Sequence, residues 1–372
     1  MTDAAPRALP RALIVTNDFP PRPGGIQSFV HGLALRTPGV AVYASWWPGC
    51  EEFDRRQPYR VVRHPTRLML PVPAVARTAA ALVAEHGAQA VVFGAAAPLG
   101  LLAPRLRAAG ARRVVMLTHG HEASWAGAPG FRATLRRIGE HADVVTYLGE
   151  YTRARLASAI PAAKLVRLAP GVDTAQFHPG AARAELGLGE RPVVACVSRL
   201  VPRKGQDLLI KAWPAVLRAV PDAVLLLVGG GPYRRSLERL AAGHESIRFT
   251  GTVPAADLPG YYAAADVFAM PCRTRLKGVD VEGLGIVFLE ASATGLPVVA
   301  GASGGAPDAV RHGETGLLVD GRDPGEVAQA LIELLTDPER ARKMGARGRD
   351  WIGREWAWDQ VAARFHTLLA SP

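Results

Sequence analysis

At 372 residues and 39.4 kDa the chain has room for two or three domains of about 150 residues each. Its 49% hydrophobic and 21% charged residues are ordinary for a soluble globular protein, and three widely spaced cysteines (Cys50, Cys196, Cys272), an odd count, argue against a disulfide framework and fit a reducing compartment. The net charge of +11 belongs to the first half: residues 1–168 carry 21 Lys and Arg against 10 Asp and Glu, whereas residues 169–372 carry 23 against 23. A first half of that kind is expected to meet something anionic: nucleic acid, an acidic membrane or a phosphorylated substrate. The preference for arginine (39 Arg, 5 Lys) has a plainer source in base composition, which leaves the asymmetry unexplained.

In chain order, the opening MTDAAPRALPRALIVTND lacks the apolar core of a secretion signal, and no apolar run reaches the ~18 residues of a membrane span. The expectation is a cytoplasmic chain that does not cross a membrane. Strand-like runs follow: ALIVT (12–16), AVVF (90–93), VVMLT (114–118), DVVTY (143–147), then PVVACVS (192–198), AVLLLVG (223–229), DVFAMP (266–271) and PVVAG (297–301). Segments of helical length separate them, among them 74–86, 98–109, 205–219, 323–335 and 339–349. This alternation predicts an α/β chain whose parallel sheets carry helices on both faces and bind ligands beyond the C-terminal ends of the strands. The Pro- and Gly-rich stretch 168–180 reads as a linker at the point where the charge changes. It predicts two doubly wound domains, 1–168 and 169–351, facing each other across a cleft. The segment from Trp351 to Leu369 reads as a terminal helix packing back on the first domain, so that 352–372 joins it.

Several stretches carry candidate chemistry. Gly24 and Gly25 stand between the first strand and a helix, where paired glycines and a helix N-terminus suit a diphosphate or, more plainly, a tight turn. His119, the first residue out of a strand in THGHE, is placed to contact a ligand; His121 and Glu122 follow without the spacing of a zinc helix. In SRLVPRKGQD, Arg199 and Lys204 lie between a strand end and a helix start, where two cations could hold a diphosphate; Arg203 reads as solvated. Glu282 and Glu290 are separated by an apolar stretch. Eight helical steps would set them about 12 Å apart, too far for the acid and nucleophile of a glycosidase but suited to a ligand with hydroxyls at both ends. Asp280 and Glu282 have no further acid or histidine nearby in sequence, so no metal and no cofactor is assigned. Phe131, Leu135 and Ile138 line one helix face beside Arg132, Arg136 and Arg137, with Arg105, Arg107, Arg112 and Arg113 as a second basic group. This reads as an interfacial membrane face or as a core-packed helix with solvated arginines.

Taken together, GGIQ, SRLVPRKGQD, VGGGP, the E-x7-E stretch and the terminal Trp-containing helix resemble family 4 of the retaining glycosyltransferases, which have the GT-B fold. TNDFPPRPGGIQSF, FGAAAPL, THGHE and RTRLKGVDVEGLGIVFLEA resemble most the actinobacterial mannosyltransferases that make phosphatidylinositol dimannoside. The resemblance implies transfer of mannose, with retention, from GDP-mannose to the inositol of a phosphatidylinositol monomannoside. It implies that Gly24 and Gly25 contact the diphosphate or sugar side, that Arg199 and Lys204 hold the diphosphate, and that Glu282 with the backbone of Gly283, Leu284, Gly285 and Ile286 holds the mannose. Glu290 is implied to hold the ribose and His119 to lie at the reacting sugar; the sequence does not fix the base, whose selection is expected from backbone and loop contacts near Gly251 to Val253. The implied partners are a nucleotide sugar, a phosphoinositide glycolipid and the anionic inner face of the cell membrane. Another donor such as a UDP-sugar, or a soluble acceptor, remains an alternative. A nucleic-acid-binding protein is the alternative from another class, and the chain shows no nucleic-acid-binding signature.

Overall fold

The computed structural model describes residues 9–120, 129–182 and 185–370. The chain divides into two compact units, residues 1–171 with 358–372, and residues 172–357. In the first unit β1 (Ala12–Thr16), β2 (Val40–Ser45), β3 (Arg60–His64), β4 (Ala90–Phe93), β5 (Arg113–Met116), β6 (Val144–Tyr147) and β7 (Leu165–Arg167) form one sheet in the order β3-β2-β1-β4-β5-β6-β7. In the second, β8 (Val193–Val197), β9 (Val224–Val228), β10 (Ile247–Gly251), β11 (Val267–Met270), β12 (Val298–Gly301) and β13 (Gly316–Val319) take the order β10-β9-β8-β11-β12-β13. Every pairing within both sheets is parallel. Both sheets are therefore doubly wound and Rossmann-like, each with a point where strand order reverses: β1/β4 in the first and β8/β11 in the second.

The apolar runs read as strands are buried because both faces of each sheet are covered. In β1, Leu13 and Val15 join one core and Ala12 and Ile14 the other. The helix Trp358–Ala370 returns to the first unit, seating Phe365, Leu368 and Leu369 in the core beside Phe29. Its return is pinned where His366 Nε2 donates to the Arg36 carbonyl at 2.8 Å and Arg36 stacks over Trp358. The expected terminal helix from Trp351 is corrected here. Trp351 belongs to the preceding helix, Pro338–Glu355, where it packs edge-on against Trp356 inside the second unit. That helix continues to Glu355 because its buried Trp351 and Ile352 continue the apolar stripe, so the chain crosses back after Ala357 rather than after residue 351. The first joint falls at Gly171, three residues beyond the expected one.

Candidate functional site

In the first unit, the loops leaving β1, β4 and β5 gather at the strand-order reversal. After β1, Asn17 reaches the 65–72 loop, its Nδ2 donating to the Met69 carbonyl at 3.0 Å and its Oδ1 accepting from the Met69 amide at 2.7 Å. Asp18 accepts from Gln27 Nε2 at 2.7 Å, which fixes the start of the helix Gly25–Leu35. No side chain caps that helix, Gly24 and Gly25 are exposed, and the space where a Gly25 Cβ would lie is open. The first-turn amides are thus left accessible at the positive end of the helix dipole. After β5, His119 packs edge-on against Phe29, and its Nε2 donates to the carbonyl of Gly94 at the end of β4, 2.5 Å away. A side chain at Gly94 would collide with Thr16, so glycine is what lets the ends of β1 and β4 approach. His121 and Glu122 lie outside the described residues.

The second unit assembles a denser cluster at β8/β11. The β8 loop bears Arg199, Arg203 and Lys204 before the helix Gln206–Ala219; the β11 loop bears Asp280 and Glu282. The loops meet at Gly205, whose φ of 80° is left-handed and whose absent Cβ would sit 2.0 Å from the Pro271 carbonyl oxygen. Lys204 Nζ lies 2.7 Å from Glu282 Oε2, with both side chains nearly buried. Arg203, expected to be solvated, is not. Its guanidinium lies 3.5 Å from Asp280 and 3.9 Å from Glu282, because the long β11 loop folds back over it. A second tie, Arg273 to Asp207 at 2.9 Å, closes the same loop onto the helix start. Arg199 is exposed and makes no ion pair among the described residues, so the structure does not bring it into the Lys204–Glu282 contact.

Beyond Glu282, the helix Ile286–Ala293 begins only at Ile286, after Gly285 in left-handed conformation. The stretch from Glu282 to Gly285 is therefore loop, and the expected eight helical steps between the two acids reduce to four. Glu290, on the second turn, accepts a hydrogen bond from the Tyr262 hydroxyl at 2.7 Å, and burial pushes its carboxyl above the usual glutamate value. Val253 is half-buried in the loop after β10, beyond Gly251. Cys196 and Cys272 border the cluster as buried thiols. Burial pushes Cys196 up to about 12 and Cys272 up as well, so neither is a nucleophile at neutral pH. No group of three metal-ligating side chains occurs among the described residues.

The chain is similar from end to end to proteins whose names state an activity. It is 56% identical over 96% of its length, and 98% of the other protein's, to the GDP-mannose-dependent alpha-(1-6)-phosphatidylinositol monomannoside mannosyltransferase of Mycolicibacterium smegmatis. It belongs to this family of glycosyltransferases. The Corynebacterium glutamicum relative, named as acting on the monoacylated monomannoside, is 47% identical over 97% of the chain and 98% of its own length. Residues 24–176 match the Glycosyltransferase Family 4 model and residues 181–351 the Glycosyl transferases group 1 model. The first segment opens at Gly24, and the second contains the whole Lys204–Glu282 cluster and Glu290. Among solved structures, Anabaena Alr3699/HepE in complex with UDP has a TM-score of 0.81 at 19% identity, covering 97% of this chain and 100% of that one, a likeness of fold.

Within this glycosyltransferase the sequence missed Arg203 with Asp280, and Tyr262. Arg203 meets an acid 77 positions away and Tyr262 one 28 positions away, and neither separation follows a helical or strand period. The apolar face at Phe131, Leu135 and Ile138 is core. Leu135 and Ile138 are fully buried because the helix Pro129–His141 packs them on the sheet. Arg107 pairs with Asp143 at 2.7 Å and Arg113 donates to the Leu368 carbonyl, so half of the second basic group is structural.

Proposed function

We propose that the protein transfers mannose from GDP-mannose to the inositol of a phosphatidylinositol monomannoside, giving the dimannoside. The reading rests on the full-length similarity to mannosyltransferases so named, together with a buried Lys204–Glu282 pair at a strand-order reversal. Arg199 and Lys204 hold the diphosphate, Glu282 and the loop to Ile286 take the mannose hydroxyls, and Glu290 takes the ribose. In the step itself, the bond between mannose C1 and the diphosphate oxygen breaks and a bond to the acceptor oxygen forms. The acceptor's proton passes to the departing phosphate, whose growing charge the two cations stabilise. Gly24, Gly25 and His119 serve the reacting end, and the Val253 loop the base. Thermal denaturation with added nucleotide tests the donor: GDP is expected to raise the midpoint well above UDP or ADP at equal concentration. A larger shift with UDP would favour the alternative donor.

With such an acceptor, the reading extends to work at an anionic bilayer on the cytoplasmic side. Arg132, Arg136 and Arg137 are exposed on one helix of the first unit. The 65–72 loop, at the ligand end of the same sheet, exposes Leu68, Leu70 and Val72, while Arg67 stacks on Trp46 and Trp47. Exposed aliphatic and arginine groups beside half-buried indoles suit a lipid interface, with each base near the surface contributing about 1 kcal/mol. No helix among the described residues is long and apolar enough to cross a membrane. Sedimentation with vesicles is expected to rise with anionic lipid, fall with salt, and drop when Leu68 and Leu70 become serine. Binding indifferent to lipid charge and to these changes would remove the membrane reading.

A further inference from the structure

Tyr262 is among the largest fully buried side chains, yet the chemistry above gives it no task. It lies on the short helix Leu258–Ala263, with its ring stacked on Phe268 at 5.6 Å and met edge-on by Phe177 at 5.6 Å. These contacts fix the ring, leaving the hydroxyl one direction to point, and it points to Glu290 Oε2 at 2.7 Å. The second oxygen of Glu290 makes no hydrogen bond among the described residues, and the residue keeps part of its surface open. A carboxylate tied at one oxygen and open at the other is preset to accept ligand hydroxyls without reorganising.

We infer that Tyr262 is a positioning residue: its hydroxyl holds one oxygen of Glu290 so that the other meets the ribose hydroxyls of the donor. The inference rests on the ribose assignment of Glu290 and adds the group that makes that assignment effective. Two effects converge. The hydrogen bond orients the carboxylate, and it favours the ionised form, which is the stronger acceptor. Burial pushes Glu290 up and the Tyr262 hydrogen bond opposes that push, while burial and Glu290 together keep the phenol protonated and therefore a donor. Cys196 on β8 is a buried, protonated thiol near Tyr262, and Arg349 on the helix Pro338–Glu355 is committed to the Ala293 carbonyl.

The test compares wild type, Tyr262→Phe and Glu290→Gln for binding of GDP and of 2′,3′-dideoxy-GDP across pH, with the transfer KM and kcat beside them. Tyr262→Phe keeps the ring and its packing. It is expected to weaken GDP by about three- to tenfold at neutral pH, the range of a single hydrogen bond. It should raise the donor KM with kcat nearly unchanged. It should also move the loss of affinity on acidification to higher pH, because Glu290 loses the interaction that holds its pKa down. For the dideoxy nucleotide the three proteins should bind alike. If Glu290→Gln weakens GDP while Tyr262→Phe matches wild type in affinity and pH profile, the positioning role is overturned and the ribose assignment stands. If Glu290→Gln binds GDP as wild type does, the ribose assignment fails and takes the inference with it.

Discussion

Replacing Lys204 by alanine is expected to lower turnover by about 10²–10³-fold, the loss seen when a preorganised partner of developing charge is removed. Its ammonium is the buried cation of the second unit's cluster, held between a left-handed Gly205 and the carboxylate of Glu282. In the proposed transfer it faces a diphosphate gaining charge as the glycosidic bond breaks, and its side chain is more deeply buried than that of neighbouring Arg203. GDP affinity should fall with turnover. Stability should fall too, since removing one member of a buried pair leaves the other charge uncompensated. Arg203, 3.9 Å from Glu282, limits that loss to less than the roughly 3–5 kcal/mol of an isolated buried pair. Lys204→Arg should recover part of the activity only, because a planar guanidinium replaces a compact ammonium. Turnover of Lys204→Ala within threefold of wild type, in a variant that remains folded, would remove Lys204 from the mechanism.

Glu282→Gln is expected to act with the opposite sign on binding. Without ligand, Glu282 neutralises Lys204 and lies within reach of Arg203. Glutamine keeps the shape and removes the charge, so the cation it had masked becomes available to a phosphate. GDP should bind as well as or better than to wild type, whereas turnover should drop by about a hundredfold. In the proposed reaction the drop reflects loss of the charged acceptor for the mannose hydroxyls, a hydrogen bond to a charged group worth about 1.5–3 kcal/mol. Divergence of affinity and rate is the signature to look for. A parallel loss of both, matching Lys204→Ala, would mean that Glu282 serves only to hold Lys204 in place.

The legible part of the fold follows burial. β1, β4, β8, β9, β11 and β12 lie inside their sheets as fully buried apolar runs, and the sequence shows them as such. The four edge strands β3, β7, β10 and β13 do not stand out in the sequence. RVVRH and IRFTG carry arginine among their apolar residues, LVR has three residues and GLLV four, so neither alternation nor length marks them. β2 is the exception, since VAVYAS is wholly buried and its run was there to be read.

Site residues divide in the same way. Lys204 and Glu282 stood out because each sits in a recognisable local pattern at a strand end. Arg203 did not, because its partner Asp280 arrives only when the β11 loop folds back through the paired backbone of Arg275 and Asp280. Tyr262 gave no signal because a buried phenol reads as core until the acid opposite it is seen. The basic first half was legible as charge, but which of its apolar residues are exposed was not. Leu135 and Ile138 face the sheet, whereas Leu68 and Leu70 face solvent.

The most direct test is incubation of the purified protein with radiolabelled GDP-mannose and phosphatidylinositol monomannoside in anionic vesicles, followed by analysis of the lipid product. Labelled dimannoside, formed from GDP-mannose and abolished in Lys204→Ala, is the expected result. No label in lipid, or transfer only from a UDP-sugar or only to a water-soluble acceptor, would contradict the account.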